Sequence, residues 1–205
     1  SQPDIGQSIL IILTWLILVF VSGINLFIFF GLFGIFILTL SYMIFFIEKF
    51  NYIKIRISSF FDNSSNNNFQ SEKASEAIID GGFFGKGIGE GTLNSKIPEA
   101  HTDYIVSVIS EEFGIIIILL IMISFVFFAY NIFKKIRDTN DNVFKLILVG
   151  LISLLMMQAF IHVGVNLRVL PTTGMTLPYL SYGGSSIISI SIISGIILNL
   201  TKRKL

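Results

Sequence analysis

Asp103 is the residue whose placement asks for a chemical reason. It lies in "PEAHTDYIVSVISEEFG", residues 98 to 114, and with His101 and Thr102 it brings ionisable and polar groups to the edge of a long apolar run, where charge is costly and usually faces water or a partner. A helix starting near Thr102 puts Asp103, Ser107, Ser110 and Gly114 on one face, a groove of small polar residues with the carboxylate at its mouth. The structural alternative is that Thr102 caps the helix and Asp103 complements its dipole. Such a dipole favours the anion by about 0.3–1 kcal/mol, whereas burial raises a carboxylate by up to about 3–5 pKa units. Where burial wins, Asp103 can accept a proton near neutral pH, as a general base must.

Three other polar stretches need an explanation. Gln158, His162 and Asn166 recur every four residues on an otherwise apolar stretch; the stripe serves either interhelical hydrogen bonding or substrate contact. "GGFFGKGIGEG", residues 81 to 91, has the glycine content of a phosphate loop, but Lys86 is followed by Gly87 and no strand precedes it, so close backbone approach is the better reading. "LPTTGMTLPYLSYGGSS", residues 170 to 186, combines Pro171 and Pro178 with Gly183, Gly184, Ser185 and Ser186. It can shape a cavity wall, the small residues allowing close helix packing. The chain contains no cysteine, which removes disulfides, thiolate catalysis and cysteine-ligated metals. A lone histidine in the stripe does not make a metal site.

Membrane helices must position these groups. With 53% hydrophobic residues, 21 Phe and 13% charged residues, a soluble domain of this length would be left with more apolar surface than it can bury. The expected fold is an all-α polytopic membrane protein, a single transmembrane domain over residues 1–205 with five spans at about 8–21, 26–47, 113–132, 143–163 and 177–200, each near the length needed to cross a bilayer. The leading segment has Asp4 and no basic residue, unlike a signal peptide. The chain starts at Ser1, which suggests preceding helices elsewhere.

Lys134, Lys135, Arg137 and Lys145 in one short connection, and Lys202, Arg203 and Lys204 in the tail, belong on the cytoplasmic side. The loop 48–103, "QPDIG" and "RVLPTTGMTLP" then share the outer face. Within that loop "NYIKIRISSFF" reads as a strand or interfacial segment, "DNSSNNN" as a polar linker, and "SEKASEAIIDGG" as a short surface helix. No basic stripe interleaved with aromatics is present to bind nucleic acid.

"QPDIG" at 2–6, the glycine-rich loop at 81–91, "PEAHTDYI" at 98–105, "EEFG" at 111–114 and the 170–186 segment together resemble the SEDS family (FtsW, RodA, SpoVE), in order and spacing along the whole chain. "LPTTGMTLP" followed by "SYGGSS" looks more like FtsW than RodA. The family has ten spans, so the chain looks like its C-terminal half. The resemblance implies a peptidoglycan glycosyltransferase that polymerises lipid II during cell division, working beside a class B penicillin-binding transpeptidase and other divisome proteins in the bacterial inner membrane, with its site facing the periplasm. The family's essential aspartate falls on Asp103.

The chemistry expected from this is inverting transfer with Asp103 as general base. Lys96, His101, Thr102, Arg168, Ser181, Gly183, Gly184, Asp4 and Gln2 are the candidate substrate contacts. A divalent cation, Mg2+ or Mn2+, is a candidate cofactor, with no protein metal site identified. A lipid-linked precursor flippase and a non-catalytic division scaffold are the alternative functions.

Overall fold

A computed structural model describes residues 5–61, 69–97 and 99–202. Gln2, Asp4 and the linker "DNSSNNN" lie outside the described residues. Among those described the fold is all-α. α1 (Ile5–Val21) and α2 (Leu26–Phe46) form a hairpin closed by Gly23 at φ 79 and by Asn25, whose side chain accepts from the Phe27 N–H at 2.9 Å. That bond satisfies one of the orphan donors at the helix start. α1 packs on α8 (Asn142–Asn166), Leu10 meeting Ile161 and Val165, whereas α2 buries none of its residues.

A short 3-10 turn, Glu48–Phe50, leads into α3 (Asn51–Phe61). The alternating pattern of "NYIKIRISSFF" suggested a strand as one possibility, and the structure is helical instead. At a membrane boundary a helix satisfies its own backbone groups, whereas a strand without a partner leaves them open. α4 (Phe69–Gly81) is the helix expected from the spacing of Ala74 and Ala77, both of which are buried. α5 (Leu93–Lys96), α6 (Ile105–Phe113), α7 (Ile115–Arg137) and α9 (Gly184–Lys202) complete the chain. Gly114, at φ 84, separates α6 from α7, so the apolar run that looked continuous from Phe113 is re-aimed there.

Four described helices, α2, α7, α8 and α9, are long and apolar enough to span a bilayer; α1 is apolar but 17 residues long. α9 begins at Gly184 rather than at Leu177, because residues 170–183 fold back as a non-helical segment. α8 is the central post. Leu148, Ile152 and Leu155 pack with Ala129 and Ile132 of α7 and with Ile190 and Ile197 of α9; nearer its other end Ala159 meets Val106, Ile118 and Leu177. A further cluster, Ala74, Ala77, Leu93, Ile97, Tyr104 and Val108, ties α4 and α5 to α6. α7 and α9 therefore end, with their lysines, at the pole opposite Asp103.

Candidate functional site

Asp103 lies in the turn before α6, half-buried, and its backbone is fixed at both ends. Its N–H donates to the Glu99 carbonyl at 3.0 Å, and its carbonyl accepts from Asn166 Nδ2 at 3.0 Å. Thr102 does not cap α6. The cap position is Tyr104 without a side-chain bond, and the Thr102 hydroxyl donates to the Glu99 carbonyl at 3.1 Å. The Thr102 cap of the structural alternative is therefore absent. The expected groove also differs: Ser107 and Ser110 are fully buried in helix contacts. Ser107 donates to Asn166 Oδ1 through Oγ (2.8 Å) and N–H (3.2 Å).

Burial raises the Asp103 carboxyl above its ordinary value, and the negative charge of Glu99 adds to this; the Thr102 hydroxyl and the Arg56 guanidinium oppose it without prevailing. Burial pushes the adjoining Tyr104 hydroxyl up to about 12, so that group stays neutral and Asp103 is the better proton acceptor of the two.

The polar stripe on α8 proves to be a fastening. Gln158 Nε2 donates to the Thr176 carbonyl at 2.8 Å, and Asn166 joins the Asp103 turn to α6. His162 Nδ1 is 2.6 Å from the Met175 carbonyl; because a carbonyl only accepts, the proton sits on Nδ1. One helix thereby holds both the Asp103 turn and the 170–183 segment. Ser181 strengthens the join, donating from Oγ to the Thr102 carbonyl at 2.7 Å while accepting from the Leu177 N–H at 2.8 Å. The Tyr182 N–H donates to the His101 carbonyl at 3.0 Å. Gly174, at φ 71, lies so close that a Cβ there would come within 3.8 Å of Asp103 Oδ2.

Beside this junction is a cleft of about 320 Å³ whose lining includes Tyr52, Arg56, Gln70, Arg168, Pro171 and Thr172. Arg56 Nη1 donates to the Thr172 carbonyl at 3.3 Å, and Arg168 lies 3.8 Å from Glu72. Arg168 also holds φ 56 without being glycine, a left-handed conformation that costs about 1–2 kcal/mol and marks the position as constrained by its surroundings. Arg56 is not among the candidates the sequence offers, because its segment reads there as a strand or an interfacial segment.

The remaining candidates separate. Lys96 donates to Thr92 Oγ1 at 2.9 Å and faces Glu111 and Asp80 in a different crevice. His101 is exposed and is tied into the junction through its carbonyl. Thr102 and Ser181 act through their bonds to each other. Gly183 and Gly184 do not mark close helix packing: a Cβ on Gly183 would make ordinary contacts, and one on Gly184 would meet nothing within 4 Å. Among the described residues no three His, Asp or Glu side chains converge as a metal cage.

The glycine-rich loop has a separate centre. Glu111, 1% exposed, accepts at Oε1 from the Thr92 N–H (3.0 Å), Thr92 Oγ1 (3.1 Å) and Lys86 Nζ (3.1 Å), and at Oε2 from the Leu93 N–H (3.0 Å). Burial alone would raise this carboxyl, but the bonds from Thr92, Leu93 and Lys86 together hold it below its ordinary value. A Cβ at Gly81 would sit 2.1 Å from the Ser110 carbonyl oxygen, and one at Gly85 would sit 2.2 Å from that of Glu112. The glycines therefore serve close backbone approach.

A family model described as cell cycle protein, covering FtsW, RodA and SpoVE, matches residues 1–205. The chain belongs to the FtsW/RodA/SpoVE family. It is 34% identical to a probable peptidoglycan glycosyltransferase FtsW of Caulobacter vibrioides, over 99% of this chain and 51% of that protein. It is 32% identical to the stage V sporulation protein E of Bacillus subtilis, over 98% of this chain and 55% of that protein. This FtsW/RodA/SpoVE chain thus spans about half the length of the curated relatives it matches. A solved structure of a peptidoglycan synthase complex, described for its coordination of polymerization and crosslinking, superposes with a TM-score of 0.73 at 25% identity, covering 98% of this chain and 55% of that one.

Proposed function

We propose that this chain carries the base-bearing half of a peptidoglycan glycosyltransferase that polymerises lipid II in the cytoplasmic membrane during cell division. Relatives named as such glycosyltransferases support the activity. The observation that carries the mechanism is the half-buried Asp103, with its raised proton affinity, held against the 170–183 segment within electrostatic reach of Arg56.

In this reading the Asp103 carboxylate takes the proton from the 4-hydroxyl of the acceptor sugar. The oxygen attacks the anomeric carbon of the lipid-linked donor as the bond from that carbon to the pyrophosphate oxygen breaks. The configuration inverts, the polyprenyl pyrophosphate departs, and the proton rests on Asp103. Arg56 and Arg168 line the adjoining cleft and would stabilise the charge gathering on the leaving phosphates. Among the described residues no three His, Asp or Glu side chains converge to hold Mg2+ or Mn2+; a cation shared between Asp103 and the substrate phosphates would add to the same charge stabilisation.

The basic ends of α7 and α9 share one pole, which supports a cytoplasmic assignment for it and an outward-facing Asp103. A lipid II disaccharide projects into that outer layer while its tail stays in the bilayer. A class B penicillin-binding transpeptidase and divisome proteins are the proposed partners, in keeping with the synthase complex that the fold resembles.

The test places Asp103→Asn in the full-length protein and follows polymer length from lipid II, with folding monitored in parallel. Polymer from a folded Asp103→Asn protein would refute the base role. Labelled lipid II in reconstituted vesicles separates polymerisation from flipping, since a flippase moves label across without lengthening it. Recovery of the transpeptidase in a stable complex, with neither activity, would favour the scaffold.

A further inference from the structure

At the pole opposite Asp103, α7 and α9 diverge around a cleft of about 500 Å³. Its floor is apolar, formed by Phe128, Ile132 and Leu198, and its rim carries Lys134 and Lys135. Neither lysine has a carboxylate within ion-pairing distance among the described residues; Asp138 on the same rim lies 3.8 Å from Arg137 Nε. The Asn131 and Thr201 side chains also line the cleft, each donating to its own helix, to the Phe127 and Ile197 carbonyls at 2.9 and 2.8 Å. The Asn131 side-chain oxygen and the Thr201 lone pairs remain available to accept from hydroxyl groups of a ligand.

We propose that this cleft is a binding site for an anionic phospholipid, with the headgroup phosphate between Lys134 and Lys135 and an acyl chain on the Phe128–Leu198 floor. Charge and shape select this occupant together. Two lysines call for an anion, while an apolar floor beside the exposed Phe127, whose carbonyl the cleft residue Asn131 contacts, gives no advantage to a free phosphate. The volume falls within the usual range of small-ligand sites, about 300–1,000 Å³. Asp138 narrows the choice to a headgroup that keeps its phosphate on the lysine side of the rim. The proposal does not depend on the glycosyltransferase reading, and its lipid would come from whichever leaflet meets the basic pole.

Native mass spectrometry of the full-length protein in detergent, titrated with phosphatidylglycerol or phosphatidylcholine, tests it. The expected result is preferential retention of one phosphatidylglycerol. Affinity should fall about five-fold for each lysine lost in Lys134→Gln and Lys135→Gln, and about twenty-five-fold in the double variant. Lys145→Gln, which removes a nearby charge outside the cleft, should leave retention unchanged. Leu198→Trp, which fills the floor and keeps both lysines, should also release the lipid. Equal retention by the double variant, equal loss in Lys145→Gln, undiminished binding in Leu198→Trp, or displacement by glycerol phosphate at lipid-like concentration would each overturn the proposal.

Discussion

Asp103 and Glu111 are eight residues apart, at opposite ends of one short helix, and their environments drive their acidities in opposite directions. Glu111 is the more deeply buried, yet its carboxyl is held down, because two N–H groups, a hydroxyl and an ammonium converge on it. Asp103 is only half-buried, yet its carboxyl is raised, because burial, with the nearby charge of Glu99 added to it, outweighs the few donors and the Arg56 charge that oppose it. Burial by itself therefore does not determine whether a carboxylate keeps its proton; the count of donors does. A satisfied carboxylate fastens a loop, while an under-satisfied one remains able to take a proton.

The sharpest way to break this comparison is Asp103→Asn, which should lower lipid II polymerisation by at least about 10²–10⁴-fold, the usual worth of a general base, with thermal unfolding in detergent unchanged. In the unmodified protein the polymerisation rate should rise with pH as Asp103 loses its proton, with its midpoint above the ordinary value for an aspartate. A rate that is flat across that midpoint would show that Asp103 does not exchange the proton.

Glu111→Ala should act on stability instead, by about 1–3 kcal/mol, since it leaves the Thr92 and Leu93 N–H donors without their acceptor while Lys86 keeps Asp80. The pH dependence here is one of stability rather than of rate. Because the folded Glu111 carboxyl lies below its unfolded value, its contribution is present above the unfolded pKa and disappears as pH falls through the folded one. Glu111→Gln should remove that acid-dependent component, read as unfolding temperature against pH.

Asn166→Ala sharpens the comparison from the other side. It cuts the bond to the Asp103 carbonyl while sparing the carboxylate, so kcat should fall about ten-fold with the pH midpoint nearly unmoved; Asn166→Asp, which sets a buried carboxylate oxygen against the Asp103 and His162 carbonyls, should be no more stable than Asn166→Ala. Gly81→Ala drives a methyl into the Ser110 carbonyl and should cost about 1–3 kcal/mol of stability. Gly184→Ala meets open space and should change stability by less than about 0.5 kcal/mol.

The long apolar stretches that became α2, α7 and α8 were legible because twenty consecutive apolar residues have few places to go except a bilayer. Ala74 and Ala77 announced α4 by their spacing. The residues of the 170–183 segment showed that it was special, but their partners were not visible: the Gln158–His162–Asn166 stripe could serve a ligand or a loop, and hydrogen-bond geometry favours the loop. Arg56 was hidden because a five-residue alternation supports strand and helix almost equally, and its approach to Thr172 spans more than a hundred residues of chain.

Composition, charge placement and motif order by themselves determined that the chain is a helical membrane protein of this family and that its polar motifs gather at one pole, since these follow from the cost of placing charge and open backbone in hydrocarbon. The tertiary structure alone decided which carboxylate is satisfied and which is poised, because that depends on donors delivered from segments far away in the chain. A carboxylate's neighbours in space, unlike its neighbours in sequence, are chosen by packing.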